Sequence, residues 1–295
     1  MKQCAIGSCM VLALVLLFCR TAGGAEWGFD AAIGIDHSDN VSNATETADR
    51  KSDGDATASV SVVLHEPLGD YTGLGLSLIA ESVDYFRYSG LDNFAAGARA
   101  QLLHKFGLGA DAPRAAFSLR ALHRDYHYDF RDGWQYDAGL IVARRIGERW
   151  NVSGNVLYDK YAADNLQPAV LPGVSSAAYD VAGWTFGVHA AFLLTAVDTL
   201  SFSCSRRHGS VTAITPPHIE LLEYSDAVAR DPVFNGNTIA YRIKADSDTL
   251  SANWSHAIGR HSSVNIGYAY RRTQGDEELD AYTANMINLG ISYSR

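Results

Sequence analysis

The chain has 295 residues, 47% hydrophobic and 19% charged, with a formal net charge of −9 and a mean hydropathy of −0.07. An acidic balance of this size argues against nucleic acid as a partner. Beyond the N-terminus no stretch reaches the roughly 18 apolar residues of a membrane helix. A membrane-embedded form would therefore be a closed sheet, because lipid satisfies no backbone groups.

Residues 1–25 read as a cleaved secretory signal. Lys2 supplies the positive charge, the apolar run 10–18 (MVLALVLLF) is too short for a bilayer core of roughly 30 Å, and Gly23 and Ala25 put small residues at the −3 and −1 positions. Cys4, Cys9 and Cys19 leave with it, so Cys204 alone remains in the single domain expected over 26–295. That excludes a disulfide framework and a cysteine-based metal site.

From there the chain alternates with period two. Trp27, Phe29, Ile33 and Ile35 open the first strand opposite Asp30, Gly34 and Asp36, and a polar loop follows over 37–55. Ala58, Val60, Val62 and Leu64 give the second strand; Leu74, Leu76 and Leu78, opposite Glu81, the third. Phe94 to Leu102 on even numbers, with Arg99 between, gives the fourth; Phe117 and Leu119, with Arg120, the fifth. Trp134, Tyr136, Leu140 and Val142 lie opposite Asp137 and Arg145 on the sixth. Trp150, Val152, Val156 and Tyr158 alternate with Asn151, Ser153, Asn155 and Asp159 on the seventh, the clearest two-faced strand. After a loop at 162–179 come Trp184, Phe186, Val188 and Phe192, then Leu200, Phe202 and Cys204. A loop over 209–237 contains Pro216, Pro217 and Pro232, and its 218–224 stretch suits a helical turn. Leu250 and Trp254 mark the tenth strand; Val264 to Tyr270 and Ile287 to Tyr293 the last two.

Connections after the even-numbered strands are short, and three of the others (37–55, 162–179, 209–237) are long. Short turns at one end, long loops at the other, and aromatic residues near strand ends are the requirements of a bacterial outer-membrane barrel. The expected fold is thus all-β: a transmembrane antiparallel β-barrel of about 12 strands with both termini periplasmic. A soluble β-sandwich would explain neither the alternating loop lengths nor the signal. Charges belong in the lumen, since Arg on the lipid face costs about 2–4 kcal/mol at the midplane. The candidate lumen residues are Arg99, Arg120, Arg124, Arg145, Arg207 and Arg271 with Asp30, Glu81, Asp137 and Asp159. They would form either a track for acidic solutes or ion pairs across the interior.

Two short stretches carry a resemblance. Asn288, Gly290 and Tyr293 in 288–295 match the C-terminal insertion signal of outer-membrane proteins, although Arg295 stands where that pattern ends on a hydrophobic residue. Residues 34–41 (GIDHSDNV) resemble the first strand and loop of porin-like β-barrels of proteobacteria. The resemblance implies a bacterial outer-membrane location, lipid and the barrel-insertion machinery as partners, and small solutes as cargo. Related barrels end exopolysaccharide- and surface-protein-export proteins, which leaves an export-accessory or surface-loop role as the alternative. A lipid-modifying enzyme lacks its motif, since no Gly-Xaa-Ser-Xaa-Gly occurs. His123 and His127 share a strand face roughly 13 Å apart, so no metal or cofactor is expected.

Overall fold

The computed structural model describes residues 25–234, 236–275 and 281–295. The expected signal segment lies outside these, apart from Ala25. The described chain forms β1 (Glu26–Ser38), β2 (Asp53–Gly69), β3 (Thr72–Tyr85), β4 (Asn93–Lys105), β5 (Arg114–Tyr126), β6 (Gly133–Ile146), β7 (Trp150–Ala163), β8 (Val181–Leu193) and β9 (Asp198–Thr215). The helix α1 (Ile219–Tyr224) and the short β10 (Ala227–Arg230) follow, then β11 (Ile239–Ala257), β12 (Ser262–Gly275) and β13 (Tyr282–Ser294). Neighbours pair antiparallel in sequence order, β9 pairs β11, and β13 returns to β1. The wall is thus a closed 12-strand antiparallel barrel. Reciprocal Phe29–Arg295 backbone bonds of 2.7 and 2.9 Å extend the closing ladder.

The period of two becomes two surfaces. One hydrogen-bonded row runs Trp27, Leu64, Leu76, Ala100, Leu119, Ala138, Tyr158, Trp184 across β1–β8. Every member is apolar or aromatic, and Trp27, Leu76, Leu119 and Trp184 are 40–50% exposed. In water such a surface would aggregate; against acyl chains it is the favourable one. A row facing the other way runs Ser77, Arg99, Arg120, Asp137, Asp159, Gly183, Gly209. Sequence alternation alone put these two rows on opposite sides.

One boundary differs from the sequence expectation. The loop read as 209–237 is shorter, because β9 continues to Thr215 and β11 begins at Ile239, in unbroken register from Thr215↔Ile239 to Asp198↔His256. One face of the upper hairpin carries Arg206, His208, Lys244, Asp246 and Asp248, and the other the buried Ala213, Tyr241, Ile243 and Ala245. Backbone pairing, cross-strand charges with Arg206 2.5 Å from Asp246, and the buried Tyr241–Ile243 face hold it together.

Candidate functional site

The lumen row brings four of the sequence-predicted residues side by side on β4–β7: Arg99, Arg120, Asp137 and Asp159. Arg120 donates from Nε to Asp137 Oδ2 at 2.7 Å and lies 3.7 Å from Glu81. Arg124 lies two inward positions further along β5. It donates to Glu81 at 3.0 Å, Asn93 at 2.8 Å and Gln135 at 3.0 Å. Arg207 grips Asp159 with two bonds, at 3.0 and 2.7 Å. It reaches that far because Gly183 lies between: a Cβ there would sit 2.6 Å from the guanidinium carbon. These side chains remain 10–24% exposed, so water reaches the network.

The other candidates divide. Asp30 accepts from Ser61 at 3.2 Å and Ser294 at 2.6 Å, on the β1–β13 side of the wall. Arg145 bends back to donate to the carbonyls of Gly147 and Glu148, at 3.1 and 2.6 Å. It caps its own turn rather than joining the charge network. Arg99 and Arg271 make no ion pair among the described residues. Tyr293 of the insertion-signal match lies tilted against Phe29 with ring centroids 6.3 Å apart.

The second part of the site is a cap at the long-loop end. The β9–β11 connection (216–238) joins strands that stand six places round the barrel from the β3–β4 connection (86–92), the same count in either direction. It nevertheless meets that loop: Phe234 packs edge-on against Tyr88 with centroids 4.9 Å apart. Tyr88, Leu91, Ala178, Ile214, Val233 and Phe234 form one buried cluster, flanked by Val41, Tyr128 and Tyr179. All five described connections at this end thus contribute to a small core that spans the barrel mouth.

At its centre sits an ion pair that the sequence reading missed. Arg131 donates from Nε to Asp231 Oδ2 at 3.1 Å and through Nη2 to the same oxygen, which also accepts from Tyr179 Oη. Arg131 and Asp231 are 7% and 0% exposed. Burial works to lower the Arg131 pKa, but Tyr179 and Asp231 beside it more than reverse that and hold it raised. Burial pushes the Tyr179 phenol well above its ordinary value, which keeps it a donor. Asp132, whose carboxylate accepts from the Tyr126 amide at 2.6 Å, is also raised, chiefly by burial.

A sequence signal for this cap existed. The loops 88–92 (YSGLD) and 128–132 (YDFRD) share a Tyr-x3-Asp pattern. Each folds as a 3-10 turn whose closing aspartate accepts the amide that ends the preceding strand, Tyr85 to Asp92 at 2.7 Å and Tyr126 to Asp132 at 2.6 Å. The repeat puts Leu91 and Arg131 at equivalent places, and both enter the cap.

A closed barrel with an apolar girdle and a charged interior defines a membrane-spanning, porin-like β-barrel. No protein-family model matches the chain, and no curated protein matches its sequence. Among solved structures it is similar to an outer-membrane channel from Pseudomonas putida F1, at 11% identity and a TM-score of 0.57 over 94% of this chain and 97% of that one. It is also similar to the NanC porin, at 11% identity and a TM-score of 0.46, over 90% of this chain and 98% of that one. The likeness to the first establishes the fold.

Proposed function

We propose that this barrel is a narrow outer-membrane channel for small hydrophilic solutes, acidic ones included. The observation that carries the reading is the water-accessible charged row inside an apolar-girdled wall. A barrel needed only as an anchor has no use for an arginine in that row, Arg99, that makes no ion pair among the described residues. Both termini share the short-turn end, which this reading puts on the periplasmic side, with the capped end outside. Lipid around the girdle and the insertion machinery acting on β13 are its expected partners. The similar outer-membrane channel of P. putida supports this reading. A catalytic reading draws little support. His123, His208, His218 and His256 each contact an aspartate, and none of these pairs adds a serine hydroxyl among the described residues. The test is single-channel recording of the refolded protein in planar bilayers. Discrete current steps are expected; complete silence from both the intact protein and a cap-loosened form would overturn the reading.

A further inference from the structure

We propose that the described residues of 216–238 (216–234 and 236–238) form a lid hinged on the β9–β11 hairpin and latched shut over the lumen by the Arg131–Asp231–Tyr179 cluster. The inference rests on the channel reading above, but its geometry stands apart from what passes through.

The segment is held in two different ways. Its base packs on its own hairpin, Leu221 of α1 and Val228 of β10 against Tyr241 and Ile243 of β11, and is tied to neighbouring loops, with Val228 donating to the Ser175 carbonyl at 2.8 Å and His218 2.8 Å from Asp49. β10 pairs with β11 from Ala227↔Arg242 to Arg230↔Ile239. Pro216 and Pro217 follow the last β9 residue, so the ladder cannot propagate through them. The tip, 231–234, reaches loops further round the wall. Val233 and Phe234 reach the β3–β4 loop, and Asp231 reaches Arg131 between β5 and β6.

The chemistry of that distant contact marks it as releasable. An apolar tip contact gains nothing when the lid lifts into water. A buried ion pair does gain, because each charge recovers the hydration that burial removed. The intact pair therefore adds little net stability, whereas deleting one partner leaves the other buried without compensation. Contacts with that asymmetry specify one arrangement without cementing it. Asp231 further fixes the tip itself, accepting the Val233 amide at 2.9 Å. The latch carboxylate and the fold of the lid tip are thus one unit. Among the described residues no other ion pair joins the tip to a loop of the opposite wall.

The test reads lid movement separately from current. In a Cys204→Ser background, Ala178→Cys puts a thiol in the cap core, where Ala178 is 0% exposed. A charged maleimide is applied, and its rate at position 178 is read by mass spectrometry of the peptide carrying it. Barrel closure is checked by heat-modifiable gel mobility. Asp231→Asn, and independently Arg131→Gln, should raise that rate roughly tenfold or more, the least expected from losing a charged hydrogen bond. Single-channel open time should rise with it. Equal labelling rates in latched and unlatched proteins would overturn the lid. Faster labelling with no current would uphold the lid and sink the channel reading. Unchanged labelling with normal current would do the reverse.

Discussion

Neutralising Glu81 tests whether the lumen row governs what the barrel admits. Its carboxylate faces two guanidiniums, 3.0 Å from Arg124 and 3.7 Å from Arg120. Glu81→Gln removes one negative charge, while the amide oxygen still accepts from Arg124. With Arg99, which makes no ion pair among the described residues, in the adjoining row, the local sum moves further positive. A solute anion passing about 4 Å from the freed charge gains about 1 kcal/mol at the dielectric of water, and about 4 kcal/mol at an effective dielectric of 20. The lower figure already corresponds to roughly fivefold in relative occupancy. Reversal potentials in a potassium chloride gradient measure it, at low salt so that screening within about 10 Å does not hide the change. The anion-to-cation permeability ratio should rise roughly fivefold or more, and Arg99→Gln should move it the opposite way. An unaltered ratio in both variants, or a cation shift in the first, would refute the idea that this row lines the conducting path.

Two further substitutions address the wall. Gly97→Ala would put a Cβ 2.0 Å from the Ala121 carbonyl oxygen and 2.8 Å from Leu122 Cα. Reversible urea unfolding in vesicles should show a loss of about 1–3 kcal/mol, against no more than about 0.5 for Gly259→Ala, where nothing lies within 4 Å. Val188→Arg, at a site 62% exposed on the outer face, should cost about 2–4 kcal/mol in the same assay. Ser205→Arg, facing inward on the adjacent strand, should cost far less; equal losses would mean the two faces are assigned the wrong way round.

The wall was legible because lipid and water constrain every second residue. Trp150 to Asp159 declares its two faces with no knowledge of its neighbours, and β7 carries them as expected. Reading failed where that constraint ends. In the upper hairpin of β9 and β11, Gly209, Ser210 and Thr212 with the prolines that follow look like a loop, although Gly209 to Thr215 is fully laddered and faces the buried Tyr241 and Ile243. Arg145 has the right parity for the lumen. It sits one residue before the end of β6, though, next to a turn whose carbonyls outcompete the interior for its guanidinium. The lumen pairs were half legible: alternation put both signs inside, but Arg207 reaches Asp159, two strands away, only because Gly183 on the strand between leaves room. The cap was hidden because its partners lie 100 positions apart, Arg131 and Asp231. Only the repeated Tyr-x3-Asp loops betrayed it.

The same chemistry therefore serves two ends in two dielectric settings. Arg120–Asp137 and Arg207–Asp159 stand where water penetrates, so their mutual attraction is weak and a passing ion competes with it on nearly equal terms. Changing these charges should tune which ions prefer the lumen, and leave the wall standing because the backbone ladder does not depend on them. Arg131–Asp231 stands where water is excluded, so losing one partner is severe and restoring hydration to both is favourable. Changing it should alter how often the mouth is open, not which ion prefers the path. The division of labour follows from exposure alone, 10–24% for the first set and 7% and 0% for the second. A latch variant that shifted selectivity while leaving open time unchanged would show that the two layers are not separate.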